Sequence, residues 1–375
     1  MRAVLFASVI QLLLVALGHA QDEVMRVHII DVGQANAALV EFPNGVILVD
    51  AGGETSPEFN GARHLMSYLE GFFDKRPDLA DRDHPIDLLA ITHPHKDHTK
   101  AIPDVIDEYA PRNVIHNHQE TGSGIQEQNF AVDYMRQTEA GGYYIIQDRA
   151  VQAVTSTGKG LTNRVIDPFD PTTAGTDPSV AVLWGGIRNN RGWDYDDFAD
   201  ENNHSLVIRV DFGEASILFP GDIEEAIEDQ ETNFDNAAVE QIAEFYKNEN
   251  VLDVDVYLSS HHASDNGMSK ELLQLISPEI AVISCGPPVR RRGGDFNAFN
   301  FGHPRKEAID EMEAVVTSTR QTPKDAKYFE KIRKPLDKRI DKGIYCTGWD
   351  GTIVLEAKAD GHWTVKELHG NPAFP

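Results

Sequence analysis

Cysteine is nearly missing: only Cys285 and Cys346 occur in 375 residues, so disulfides are not the framework of the fold. The two read either as a pair formed in an oxidising compartment or as two separate buried thiols. Positive charge is scarce as well. With 34 basic against 60 acidic side chains, the formal charge of −26 argues against a broad electrostatic grip on nucleic acid, although a local basic strip stays open. Arg290-Arg291-Arg292 is the dense basic run, read as a solvated loop or, alternatively, a phosphate-binding one. Past the first residues there is no apolar run of membrane-spanning length.

Those first residues have a pattern of their own. Arg2, an apolar run over 3–17, and the small residues Gly18 and Ala20 read as a secretory signal peptide cut after Ala20. The run is shorter than the ~20 residues that cross a bilayer. The expectation is therefore a secreted or periplasmic protein with no stable membrane insertion. Residues 21–375 are expected to form one domain, with a loop-rich insertion around 119–201.

Apolar patterning supplies the elements. Strand-like runs at 27–40 and 46–49 flank the turn Pro43-Asn44-Gly45, which predicts a hairpin ending at Asp50-Ala51-Gly52. Helices are expected at 63–73, 99–109, 237–247, 269–276 and 304–315. Strands are expected at 86–92, 205–210, 215–219, 254–258 and 280–284. A last hairpin is expected between 344–347 and 352–356. Strands that end in polar residues, with helices between them, indicate a layered α/β fold.

Thr92-His93-Pro94-His95-Lys96-Asp97-His98 packs four potential ligands into six residues. On an extended segment His93 and His95 project to the same side, and a turn into a helix points Asp97 and His98 toward a second position. Imidazole and carboxylate without thiolate suit zinc, with manganese and iron as alternatives. Other strand ends complete the set. Asp222 ends one strand and can bridge two ions, and either His261 or His262 at the end of another can complete the second site.

The HxHxDH segment, Gly221-Asp222 and the later histidines resemble the metallo-β-lactamase superfamily. The segments Ile30-Asp31-Val32-Gly33-Gln34, Leu48-Val49-Asp50-Ala51-Gly52, Asn202-Asn203-His204, Gly302-His303-Pro304 and Gly348-Trp349-Asp350-Gly351 look closest to the extracellular hydrolase domain of ComEC-type DNA-uptake proteins. The resemblance implies a four-layer αββα sandwich and two divalent ions. His93, His95 and Asp222 would hold the first ion, and Asp97, His98, Asp222 and one of His261 and His262 the second. His204, or less well Asn203 or Glu201, would add a further ligand to the first; His116 and His118 are further candidates, but they follow another strand and read rather as structural. One departure is Asn36, which stands where that family usually has aspartate; it reads as a substrate contact or a turn residue.

The expected activity is metal-dependent hydrolysis, with the ion pair activating a water as nucleophile. Asp97 would orient that water and accept its proton, and His303, with the free member of His261 and His262, would stabilise charge or protonate the leaving group, unless His303 only caps the helix at Pro304. A phosphodiester leads as substrate, either nucleic acid or a small phosphate ester. A lactam, lactone or thioester, or a metal-stabilised binding module without turnover, are the alternatives.

Overall fold

The computed structural model describes residues 23–138, 141–155, 160–169, 175–188, 193, 195–226, 237–291 and 296–367. The expected leader at 1–20, Arg292 and Asp194 lie outside these residues.

β1 (Val24–Ile29), β2 (Ala38–Phe42) and β3 (Gly45–Val49) form an antiparallel meander, with the β2–β3 turn where Pro43-Asn44 predicts it. A small ribbon of β4 (Thr55–Ser56) and β5 (Phe59–Asn60) follows. β6 (Leu88–Ala90), β7 (Asn113–His116) and β8 (Tyr143–Ile145) then add in parallel beyond β3. Helices Gly61–Lys75, Ile102–Tyr109 and Ile125–Gln137 make these crossovers.

In the second sheet β9 (Pro178–Trp184), β10 (Val207–Phe212) and β11 (Ala215–Phe219) run antiparallel. β12 (Val256–Leu258) and β13 (Ile280–Ile283) continue in parallel. A separate ribbon of β14 (Thr319–Lys331) and β15 (Lys334–Lys342) precedes β16 (Ile344–Cys346), β17 (Ile353–Lys358) and β18 (Trp363–Glu367). The strand orders are β18-β17-β1-β2-β3-β6-β7-β8 and β16-β13-β12-β11-β10-β9. The stretch 119–201 thus supplies an edge strand to each sheet.

Strand periodicity explains the layers. Met25, Val27, Ile29, Val40, Ile47 and Val49 face Ile208, Val210, Ile217, Phe219 and Val282 across the gap between the sheets. The alternate residues Leu39, Val46, Leu48 and Leu89 face the outer helices of the first sheet. Leu218, Tyr257, Ala281 and Ile283 face the helices Ala238–Tyr246, Lys270–Ile276 and Lys306–Val315. Strands covered on both faces need apolar residues at successive positions, which is why 46–49 and 280–283 read as unbroken runs. The order of layers is α, β, β, α.

The hairpin expected between 344–347 and 352–356 does not form. β16 pairs in parallel with β13, β17 pairs antiparallel with β1, and the helix Thr347–Asp350 carries the chain from one sheet to the other. Gly348 and Gly351 announce a reversal, but strand pairing is decided by distant partners. Cys285 and Cys346 meet at this crossing as free, buried thiols with Sγ atoms 3.2 Å apart.

Candidate metal centre

The segment 92–98 is held by backbone contacts that tolerate no bulk. Asn36 N–H donates to Asp97 O and Ala51 N–H to His98 O, both at 2.8 Å. A Cβ on Gly52 would lie 1.6 Å from Asp97 O, so glycine is required where the Asp50-Ala51-Gly52 turn passes behind the ligands. Asp222 leaves β11 through Gly221, whose φ of 63° lies in the left-handed region. His261 and His262 follow β12 with φ of 46° and 53°, a strained conformation for residues with a Cβ.

These turns bring Asp97, His98, Asp222 and His262 together, each with a ligand atom within 4.8 Å of the others. His98 Nε2 lies 3.1 Å and His262 Nε2 3.4 Å from Asp222 Oδ2, and Asp97 Oδ2 lies 3.3 Å from His262 Nε2. His93 lies tilted beside His98 at 4.1 Å between ring centroids and edge to face with His95 at 4.7 Å. His93 Nε2 and His98 Nε2 are buried without a hydrogen-bond partner. Burial of that kind is costly unless a ligand completes the atom, and two orphaned imidazole nitrogens beside carboxylates fit a divalent cation.

The far side of each ring is fixed. His98 Nδ1–H donates to Asp50 Oδ2 at 2.7 Å, and Asp50 also accepts from Thr92 N–H at 2.8 Å and Asn36 Nδ2 at 2.9 Å. His262 Nδ1–H donates to Ser284 O at 2.7 Å. His93 Nδ1 is 3.2 Å from Ser205 Oγ, which accepts from Asp222 N–H. With Nδ1 engaged behind it, each ring turns Nε2 toward the cluster. Asn36 therefore works behind His98, as a donor to Asp50. The sequence holds the signal in its Asp-Ala-Gly motif, but spacing alone does not tell that Asp50 backs a ligand.

Electrostatics follow the same arrangement. Desolvation works against a charged His98, yet the charges of Asp222 and Asp50 outweigh it and hold the ring well above the usual histidine range. Burial, reinforced by His98 and His95, pushes His93 well below it. Desolvation opposes ionisation of Asp222, but His98 and His262 keep its carboxyl well below the ordinary value.

Two expected ligands are turned elsewhere. His204 Nε2–H donates to Phe198 O at 2.8 Å and its ring packs on Trp193 and Phe198, so it pins the loop before β10. Glu201, at the other end of the same turn, places Oε2 3.5 Å from His95 Nε2 instead. A 3-10 turn over Glu201–His204 precedes β10, which a strand-end reading misses, and the Phe198 and Trp193 contacts hold the His204 ring on its own side. His261 is diverted by Glu224, whose Oε1 is 3.0 Å from its Nδ1. Desolvation is overcome there by the Glu224 hydrogen bond and charge, which raise His261 to about 9. Of the neighbouring pair, His262 is the one that joins the cluster.

His303 packs 6.3 Å from His262 and 5.6 Å from His261, with its Nδ1 2.9 Å from the Gln34 amide nitrogen. It borders the donors without joining them. His116 and His118 lie apart, lining a cavity of about 190 Å³ with Gln128 and Arg136. Arg291 is no free phosphate ligand: Glu54 Oε1 holds its Nη1 at 2.7 Å and Phe59 lies 4.1 Å beneath it.

A four-layer αββα sandwich with imidazole and carboxylate groups converging at the strand ends defines a class of protein with a candidate site for a divalent cation between its sheets. The family model of the Metallo-beta-lactamase superfamily matches residues 30–286, and the chain belongs to that superfamily, most of whose members are metal-dependent hydrolases. No curated protein matches the chain. Among solved structures it is similar to the metallo-beta-lactamase fold protein YhfI from Bacillus subtilis, at 10% identity and TM-score 0.39, covering 92% of this chain and 100% of that one. It is also similar to Igni18, a metallo hydrolase from Ignicoccus hospitalis KIN4/I, at 14% identity and TM-score 0.35, covering 70% and 84%. A diphosphatase from the PhnP family is 10% identical with TM-score 0.35, covering 85% and 99%. With TM-scores this low, none of them bears on the substrate.

Proposed function

We propose that this hydrolase cleaves phosphodiesters with two divalent ions, zinc first among the metals its donors suit. Asp97, His98, Asp222 and His262 would hold one ion, and His93, His95 and Asp222, with Glu201 in the place expected for His204, the other. When bound, the ions supply Lewis-acid polarisation of the attacked phosphoryl oxygen and lower the pKa of a water to ~7.

The observation that carries the phosphodiester reading is the pair of rings at the rim of the donors. His261, paired with Glu224, and His303, beside Gln34, sit next to His262 and outside the cluster of metal donors. A charged imidazolium and a second N–H donor suit the anionic oxygens of a phosphodiester better than a neutral lactam. In this reading Asp97 orients the water and takes its proton, and His303, kept neutral by burial and by the charges of His261 and His262, offers the leaving oxygen an N–H hydrogen bond. The motifs around Gly302-His303-Pro304 and Gly348-Trp349-Asp350 support kinship with ComEC-type hydrolase domains, and with it nucleic acid among the substrates. The signal-like pattern of residues 1–20 supports a secreted or periplasmic location.

Assays of the zinc-loaded and manganese-loaded protein on bis(p-nitrophenyl) phosphate and on a chromogenic lactam test the reading. Turnover of the diester, lost in His303→Ala with metal content intact, is expected. Turnover of the lactam alone would replace the phosphodiester with a carbonyl substrate, and turnover of neither by the metal-loaded protein would leave a binding module.

A further inference from the structure

The β14–β15 ribbon is a basic element on an acidic protein. Residues 319–342 carry nine Lys and Arg against four Asp and Glu, in a chain of formal charge −26. Along the ribbon's stem these cations are matched: Lys324 with Asp350, Lys327 with Asp337, Lys338 with Asp310 and Glu313, and Arg339 with Asp341. At the tip they are not. Lys331, Arg333 and Lys334 are exposed, and among the described residues no carboxylate pairs with them. Arg333 makes its hydrogen bond to the neutral Asn300 Oδ1 at 3.0 Å.

Between those cations stands Ile332, 53% exposed. A two-residue hairpin turn calls for Asn or Gly, because it needs left-handed backbone. Here the turn is Ile332-Arg333, with Arg333 at φ 62°, so both turn chemistry and solvation are set aside to present an aliphatic side chain outward. Local rules broken in this way mark places under functional constraint. The tip rests against Gly302, where an added Cβ would sit 2.9 Å from Ile332 Cα, and Phe329 N–H donates to Pro304 O at 2.9 Å. Phe301, 41% exposed, adjoins His303 at 5.9 Å, and Phe296, 36% exposed, meets Phe301 edge to face at 4.9 Å. Three exposed apolar side chains and three unmatched cations thus share one rim of the metal centre.

We propose that this rim docks the protein on an anionic lipid surface, with Ile332, Phe296 and Phe301 entering the interface and Lys331, Arg333 and Lys334 meeting lipid headgroups. Apolar side chains ringed by cations suit a surface that offers hydrocarbon beneath negative charge. A nucleic-acid strand fits less well: Ile332 has no π face for a base, and the two phenylalanine rings are engaged with each other. The protein's overall acidity does not forbid docking, since charges beyond ~8 Å are screened at physiological salt. The proposal does not depend on which bond the metal centre cleaves.

Co-sedimentation of the purified protein with vesicles of equimolar phosphatidylglycerol and phosphatidylcholine, against phosphatidylcholine alone, tests it. Binding to the anionic vesicles only is expected, weakened about tenfold or more in Lys331→Glu/Lys334→Glu. Ile332→Ser should weaken it at low and high salt alike, while the melting temperature of both variants stays that of the parent. Equal binding to both vesicles, or none, overturns the proposal. So does binding of a labelled single-stranded oligonucleotide that the double reversal abolishes while vesicles are ignored, which would assign the rim to nucleic acid.

Discussion

Asp222 Oδ2 touches the Nε2 atoms of both His98 and His262, so one carboxylate joins donors from the two sheets. Asp222→Asn keeps the shape and removes the charge, and the protein should then lose bound metal, measured by mass spectrometry of the digested, desalted protein. Asp50→Asn acts one step further out: an amide in place of the carboxylate loses the charged acceptor for His98 Nδ1–H, and metal affinity should fall ~10–100-fold in a competitive chelator titration. His204→Ala is the contrasting case. It removes a bond to Phe198 O and ring packing on Trp193, so stability should drop by roughly 1–3 kcal/mol while metal content stays unchanged. A loss of metal in His204→Ala would return that residue to the ligand set. Sequence spacing revealed His93, His95, Asp97 and His98 because they lie on one short segment whose geometry is local. The choice between His261 and His262, and between His204 and Glu201, depends on left-handed backbone and on tertiary contacts with Glu224, Phe198 and Trp193, which no spacing rule encodes.

Elements were legible where both faces are apolar and obscure where polar residues alternate. The runs 46–49 and 280–283 announce themselves, whereas β14 and β15 carry charges along most of their length and leave few buried positions to read. The β16–β17 reversal was legible as a turn and illegible as a connection between sheets, because its partners β13 and β1 are far away in sequence. On β2, Glu41 ties elements together: it meets Arg26 and His28 of β1, and Arg76 just past the helix Gly61–Lys75. Burial alone would raise its carboxyl, but the His28 hydrogen bond, the charges of His28 and Arg26 and the Arg76 hydrogen bond bring it down to about 2 from 4.5. A carboxyl depressed in the folded state stabilises above its unfolded value, and that contribution is lost as the pH falls through the folded one. The window is therefore about pH 4.5 down to about 2, and the loss is at most roughly 3 kcal/mol. Glu41→Gln should lower stability at neutral pH and flatten the acid limb of a circular-dichroism stability profile. An unchanged acid limb would mean that other carboxylates govern acid unfolding.

At the scale of the whole molecule, the candidate metal donors divide between the sheets. His93, His95, Asp97 and His98 follow β6 of the first sheet, while Asp222 and His262 follow β11 and β12 of the second. An ion held by both groups is a clasp across the two halves of the sandwich, in addition to the apolar core between them. Because a ligand that binds only the folded state stabilises by mass action, free metal at a thousand times its dissociation constant would add about 4 kcal/mol. Chains of 150–250 residues gain ~2–4 °C for each kcal/mol, and a longer one somewhat less, so the melting temperature should rise by several degrees on loading and fall back with chelator. The rise should vanish in Asp222→Asn, which removes the shared carboxylate, and persist in Lys331→Glu/Lys334→Glu, which alters only the rim. If calorimetry showed the same melting temperature with and without metal for the parent protein, the donors would not form a clasp, and the two sheets would be joined by their hydrophobic core alone.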